Sequence, residues 1–264
     1  MASVKEVRDF FDEIAPYYMK LDFDNVGHLV GCVGTSVTKA LVALDITDEV
    51  IEEAIALGAQ LIVSHHPLIF DSIKRVTDDD RIGRKIIRML TNGVSAICLH
   101  TNMDTASGGV NDRLMAALGA EVTGLLSPHG THPDGTPYGI SRVGKLKAPV
   151  DFSDFLARTK QRLHCNGLRY VDGGKPVEVI ACCGGSGGGE MMKAYAAGCD
   201  TYVTADVKYD QFLQAKELGL NLIDADHFCT ENVVAPFMAD ALAKRFPEIE
   251  TVISKIHRQT IQFI

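Results

Sequence analysis

Two adjacent imidazoles, His65 and His66, stand at the end of the apolar run Leu61-Ile62-Val63-Ser64 and directly before Pro67. An apolar run that stops at ionisable side chains reads as a buried strand delivering ligands at its carboxyl end. Neighbouring residues of an extended strand point to opposite sides, so the pair suits two metals of a close pair better than one ion. Further along, His227 and Glu231 are spaced i, i+4 in His-Phe-Cys-Thr-Glu. On a helix that spacing puts both on one face, within reach of one metal or a bridged pair. Asp104 closes a third polar cluster, His100-Thr101-Asn102-Met103-Asp104, that again follows an apolar run. Within it the Asp104 carboxylate is the better candidate because it neutralises metal charge; His100, nearer the strand, is its rival. A helix cap is the structural alternative for Asp104, and a surface pair that for His227 and Glu231.

Taken together, His65, His66, Asp104, His227 and Glu231 supply three imidazoles and two carboxylates. This mixture suits Zn, Fe, Mn, Co or Ni and argues against calcium. Five protein ligands are too many for an open catalytic zinc but suit two ions sharing a carboxylate and a water. Ions about 3.5–4 Å apart lower the pKa of a bridging water toward neutrality and so create a hydroxide nucleophile. Other histidines (His28, His129, His132, His164 and His257) lack ligand-like company and are read as structural or surface residues.

These residues need elements to position them. Apolar and amphipathic segments alternate: strand 39–45, helix 49–57 capped by Thr47 or Asp48 and ended by Gly58, strand 60–64, helix 81–91, strand 95–99. This rhythm implies mixed, mostly parallel sheets with helices on their faces. The Pro/Gly-rich stretch Ser127–Gly139 is the clearest break. Beyond it come a helix within 147–162 capped by Asp151 or Ser153, strand 176–183, helix 190–197, strand 200–204, helix 209–218 and strand 221–225. Segment 54–64 overlays 194–204 without a gap, and 93–104 overlays 219–230. If the likeness is real, four equivalent strand ends converge, where open α/β sheets place their ligands. Gly184-Gly185-Ser186-Gly187-Gly188-Gly189 lies between a strand and a helix. It is neither a P-loop nor a clean dinucleotide fingerprint; a tight turn beside the site and a phosphate-contacting backbone are the two readings.

Bulk properties narrow the class. The 264 residues are 46% hydrophobic and 23% charged, with a formal net charge of -8. Acidity argues against broad nucleic-acid or anionic-membrane binding. No apolar run reaches the roughly 18–20 residues of a membrane span, and residues 1–13 read as an amphipathic helix rather than a signal peptide. Seven cysteines, an odd count without a Cys-x-x-Cys pair, sit mostly in apolar runs and read as buried thiols in a reducing cytoplasm.

The segments His65-His66-Pro67-Leu68-Ile69-Phe70, Thr101-Asn102-Met103-Asp104 and Asp226-His227-Phe228-Cys229-Thr230-Glu231 resemble the signatures of the Nif-three-like dinuclear metal-centre proteins, also called GTP cyclohydrolase 1 type 2 homologs. Asp24-Asn25-Val26-Gly27, Gly184-Gly185-Ser186-Gly187 and Thr204-Ala205-Asp206-Val207-Lys208-Tyr209 fit the same pattern in order along the chain. The resemblance implies two similar α/β domains, the second inserted in the first: residues 1–126 with 228–264, and residues 127–227, with the metal site between them. It implies that His66 and Asp104 hold one divalent ion, His65 and His227 the other, and Glu231 bridges. It further implies a toroidal homohexamer and metal-dependent hydrolysis of GTP or another nucleotide or heterocycle; metal storage, delivery or regulation is the alternative. Asp206, Lys208, Asn102, Gly185 and Ser186 are candidates for supporting or substrate contacts. Phe23 stands where the family often has Trp, His28 where Leu is usual, Ala205 for a common Gly, and Asp210 where a His often stands.

Overall fold

The computed structural model describes residues 1–264. In chain order its first half runs α1 Val4–Ile14, β1 Gly27–Val30, β2 Lys39–Ala43, α2 Asp48–Leu57, β3 Leu61–Ser64, α3 Arg81–Thr91, β4 Ser95–Cys98, α4 Thr101–Thr105 and α5 Val110–Leu118. There follow β5 Glu121–Leu125, β6 Pro128–Thr131, β7 Pro137–Gly139, β8 Arg142–Val150, α6 Phe152–Arg162, β9 Arg169–Val171, β10 Val177–Cys182, α7 Met191–Ala196, β11 Thr201–Thr204, α8 Tyr209–Leu218 and β12 Asn221–Asp224. The last elements are α9 His227–Glu231, α10 Ala235–Arg245 and β13 Glu250–Ile253. The chain is an α/β protein of two compact units: Met1–Met103 with Val234–Arg258, and Asp104–Val233 with Gln259–Ile264.

In the first unit the strand order is β1-β4-β3-β2-β13. Only β1 runs antiparallel to its neighbour; the other pairings are parallel. All four residues of β3 and all four of β4 are buried, because helices cover both faces of the sheet. Local chemistry sets the helix limits. Thr47 caps α2 by accepting from Val50 N at 3.2 Å, and Gly58 ends it at φ 66 in the left-handed region. Asp80 caps α3 through Ile82 N and Gly83 N. The apolar core of this unit gathers Leu41, Ile51, Ile62, Met89 and Ala96 with their neighbours.

The second unit has strand order β5-β8-β10-β11-β12-β9. Here the sheet is mixed, as expected, but not mostly parallel. Only β10-β11 and β11-β12 are parallel; β5-β8, β8-β10 and β12-β9 are antiparallel. The long strand β8 runs against both of its neighbours, and the edge strand β9 runs against β12. The Pro/Gly-rich stretch is not the point of division either. It folds as the two-stranded hairpin β6-β7 between β5 and β8, which pair with each other, so the chain leaves and re-enters one sheet. The division falls instead between Met103 and Asp104, between Val233 and Val234, and between Arg258 and Gln259. Within each unit, the overlaid segments hold equivalent places: β3 lies beside β4 in one, β11 beside β12 in the other, both parallel.

Candidate metal centre

In the first unit, strand β3 ends at Ser64, one residue before the histidine pair. The chain then bends around Leu44, whose carbonyl accepts from both His65 N (3.2 Å) and His66 N (2.8 Å). The alternation of a strand therefore does not apply to these two residues, and their rings are only 4.9 Å apart. The chain after β4 brings the ring of His100 to 5.3 Å from His65 and 5.5 Å from His66. The ligand atoms of the three histidines lie within 4.8 Å of one another.

Each imidazole is oriented by an oxygen on its Nδ1. His65 Nδ1 donates to Leu99 O at 2.8 Å, His66 Nδ1 to Asp45 Oδ1 at 2.7 Å, and His100 Nδ1 to Asp24 Oδ1 at 2.7 Å. A nitrogen facing a carbonyl oxygen must carry the hydrogen, so in neutral His65 the lone pair is on Nε2. This tautomer is the one that second-shell oxygens select for metal-ligating histidines. Behind them the carboxylates are themselves held. Asp24 accepts from Thr101 N at 2.9 Å and from Thr101 Oγ1 at 2.5 Å. Burial raises its pKa, but the hydrogen bonds of His100 and Thr101 outweigh it and bring it to about 2. Burial likewise opposes ionisation of Asp45, and contacts with His257 and His66 hold it well below the usual carboxylate range. Asp45 Oδ2 is 2.9 Å from His257 Nε2, so His257, expected to be a bystander, stands behind His66 through Asp45. Asp45 escaped the sequence reading; its signal is its place one residue past Leu44, at the end of the strand beside β3.

In the second unit, α9 opens after β12. Asp226 precedes it at φ 71, a left-handed conformation costly for a side chain with a Cβ. Helical spacing puts His227 Nε2 3.0 Å from Glu231 Oε2, as the i, i+4 pattern predicts. On the other side of the ring, His227 Nδ1 is 2.7 Å from Asp206 Oδ2. Burial alone would lower the His227 pKa; Glu231 and Asp206 outweigh it and raise it to about 9. Asp206 also adopts a positive φ, 53°. Asp104, buried in α4, is tied through its backbone: its carbonyl accepts from Asn111 Nδ2 at 3.2 Å, and Asn111 Oδ1 accepts from Gly184 N at 2.8 Å.

That last bond begins the glycine run. Gly185 N donates to Thr230 Oγ1 at 3.0 Å and Gly187 N to Thr204 Oγ1 at 3.0 Å. Three of the run's N–H groups thus serve the protein itself, which favours the turn over a phosphate cradle. Gly185 sits at φ 62, and a Cβ there would collide with Glu231 Oε1 and come within 3.1 Å of His227 Nε2. The backbone therefore packs directly on two of the candidate ligands. Ser186 and Lys208 are exposed, and Asn102 is buried with its Nδ2 on Ala15 O at 2.6 Å.

The donor set fits divalent cations. The imidazoles of His65, His66 and His100 present their second nitrogen in the ligating tautomer, and the acidic surroundings of His227 already favour positive charge at that place. The fold and these residues define an α/β protein with clusters of His, Asp and Glu that could coordinate metal ions. The chain belongs to the Duf34/NIF3 (NGG1p interacting factor 3) family, whose sequence model matches residues 2–260. It is 35% identical over 263 residues to a "GTP cyclohydrolase 1 type 2 homolog" of Clostridium perfringens, covering 99% of both chains. A protein of the same description from Streptomyces coelicolor is 34% identical over 235 residues, covering 88% of this chain and 82% of that one. Among solved structures, the Bacillus cereus protein related to NIF3 superposes with a TM-score of 0.92 at 25% identity, covering 100% of this chain and 99% of that one. Reduced HcgD from Methanocaldococcus jannaschii superposes at 0.79 and 27% identity, covering 97% and 98%.

Proposed function

We propose that His65, His66, Asp104, His227 and Glu231 hold two divalent ions and that the protein is a metal-dependent hydrolase of a nucleotide or heterocycle, of the GTP cyclohydrolase 1 type 2 kind. The observation that carries the reading is the set of oxygen-backed imidazoles: Leu99 O behind His65, Asp45 behind His66 and Asp206 behind His227. Such backing fixes the tautomer and raises ligand basicity. His66 and Asp104 would hold one ion, His65 and His227 the other, with Glu231 shared. When bound, the ions supply Lewis acidity and an activated water. The protein's part is positioning and charge balance. Two divalent ions carry four positive charges, Asp104 and Glu231 return two, and the surplus attracts an electron-rich or anionic substrate. Asp206 Oδ2 keeps the hydrogen of His227 on Nδ1, and Asp24 does the same for His100. The names of the relatives and the match along nearly the whole chain support the GTP-type substrate, and by the same resemblance the chain assembles as a toroidal homohexamer. No helix is long and apolar enough to cross a membrane. Six of the seven cysteines are buried and all seven are free thiols, which supports a cytoplasmic home.

Elemental analysis of freshly purified protein, with turnover of a panel of nucleotides and heterocycles in that native metal, tests the reading. Two ions per chain and turnover abolished by His66→Ala are expected. Turnover unchanged in that variant refutes the hydrolase; metal that passes readily to an acceptor, with no turnover, establishes metal handling in its place.

A further inference from the structure

Beside the three histidines of the first unit lies a pair of aromatic rings that the metal chemistry does not use. Phe23 is 65% exposed and Phe70 46% exposed, although burying a phenylalanine side chain is worth roughly 1.5–3 kcal/mol. Their ring centroids are 6.1 Å apart at 58°, so neither ring covers the face of the other. Phe70 meets His100 edge to face, at 6.1 Å and 79°. His100 in turn touches His65 and His66, so the aromatic pair begins one ring away from the candidate ligands.

The two rings are mounted, not loose. The residue after Phe23 is Asp24, only 6% exposed, whose carboxylate holds His100 and Thr101. The next, Asn25, donates from Nδ2 to Ile69 O at 2.7 Å, one residue before Phe70. One side chain thus ties the Phe23 turn to the Phe70 loop, and another ties the Phe23 turn to the histidine cluster. Two apolar rings held in water by polar anchors cost solvation energy until an apolar surface covers them.

We propose that Phe23 and Phe70 form the ring-binding subsite, stacking the planar heteroaromatic base of the substrate while its reacting atoms face the histidine cluster. The proposal rests on the hydrolase reading above and names the part of the substrate that is held. Two rings make too small a patch for a stable protein interface, which needs about 800 Å² on each partner. They match a base, whose stacking on an aromatic side chain is sequence-tolerant because every base has a π face.

The chain contains no tryptophan. Phe23→Trp therefore installs a single tryptophan, excited selectively above the tyrosine band, at an exposed position in the full-length protein. Titration with GTP is expected to quench it saturably, and inorganic triphosphate is expected to leave it unchanged. Adding Phe70→Ala is expected to weaken GTP roughly tenfold or more, with the metal content unaltered. Equal quenching by inorganic triphosphate, no saturable response to GTP, or no effect of Phe70→Ala overturns the proposal. So does a tryptophan signal that changes on diluting the protein without ligand, which would place a second copy of the chain on the rings. The two readings fail separately. Ring binding without turnover leaves the subsite standing and removes the hydrolase. Turnover of a heterocycle with a KM insensitive to Phe70→Ala does the reverse.

Discussion

Replacing Gly185 by alanine tests how closely the backbone must approach the ligands of the second unit. Two costs follow from the structure. Gly185 lies at φ 62, where a residue with a Cβ loses about 1–2 kcal/mol. The added methyl would also collide with Glu231 Oε1, so that the buried carboxylate must move away from His227. Disturbing a buried hydrogen-bonded carboxylate costs about 1–3 kcal/mol. Together these predict a loss of roughly 2–5 kcal/mol in stability and a fall of roughly 4–20 °C in Tm. Because Glu231 is a proposed shared ligand, metal affinity should fall about 10–100-fold as well. Gly189→Ala is the matched control. A Cβ there meets nothing within 4 Å and its φ is not positive, so it should be neutral or slightly stabilising. Differential scanning fluorimetry and competition against a chelating dye read both effects. A Gly185→Ala protein that melts and binds metal like Gly189→Ala would refute the inference that glycine is needed for contact with Glu231.

Asp45→Asn should weaken metal binding about 10–100-fold, since it removes the charge behind His66 while keeping an oxygen that can accept from Nδ1; chelator competition checks this, and wild-type affinity would exclude Asp45 from orienting the ligand. Stripping metal should lower the unfolding free energy by the linkage amount, about 2.7 kcal/mol per site at a free metal concentration a hundred times Kd, read as a fall in Tm, and His227→Ala should lose most of that difference. At alkaline pH the buried thiols matter. Burial, with Asp200 beside it, pushes Cys199 up to about 11 from an ordinary value of 9.0. Between these values the unfolded chain has released the proton and the folded one has kept it, so stability falls as pH rises from about 9 to 11. The loss attributable to this thiol is about 3 kcal/mol at most. Urea titrations across that range should show a shallower fall for Cys199→Ala; identical slopes would mean that the thiol does not stay protonated in the fold.

Much of the fold is legible in local sequence because its signals are local. The helix limits at 81–91 and 209–218 coincide with the sequence expectation, since caps and terminating glycines act within a few residues. The i, i+4 spacing of His227 and Glu231 likewise needed only helical geometry. Residue types alone identified imidazole and carboxylate donors for divalent ions, and the order of the motifs along the chain identified the family. Tertiary structure decided the rest. Strand direction in the second sheet depends on which strands pair across long separations, and so the antiparallel course of β8 could not be read from periodicity. Asp45 and His257 meet across more than two hundred residues, a contact that no local pattern encodes. The histidine pair shows the division most directly. Its sequence says that two imidazoles end a buried strand. Only the fold turns the chain about the Leu44 carbonyl directly after Ser64, where the strand ends as expected, bringing together two rings that an extended backbone would have held apart.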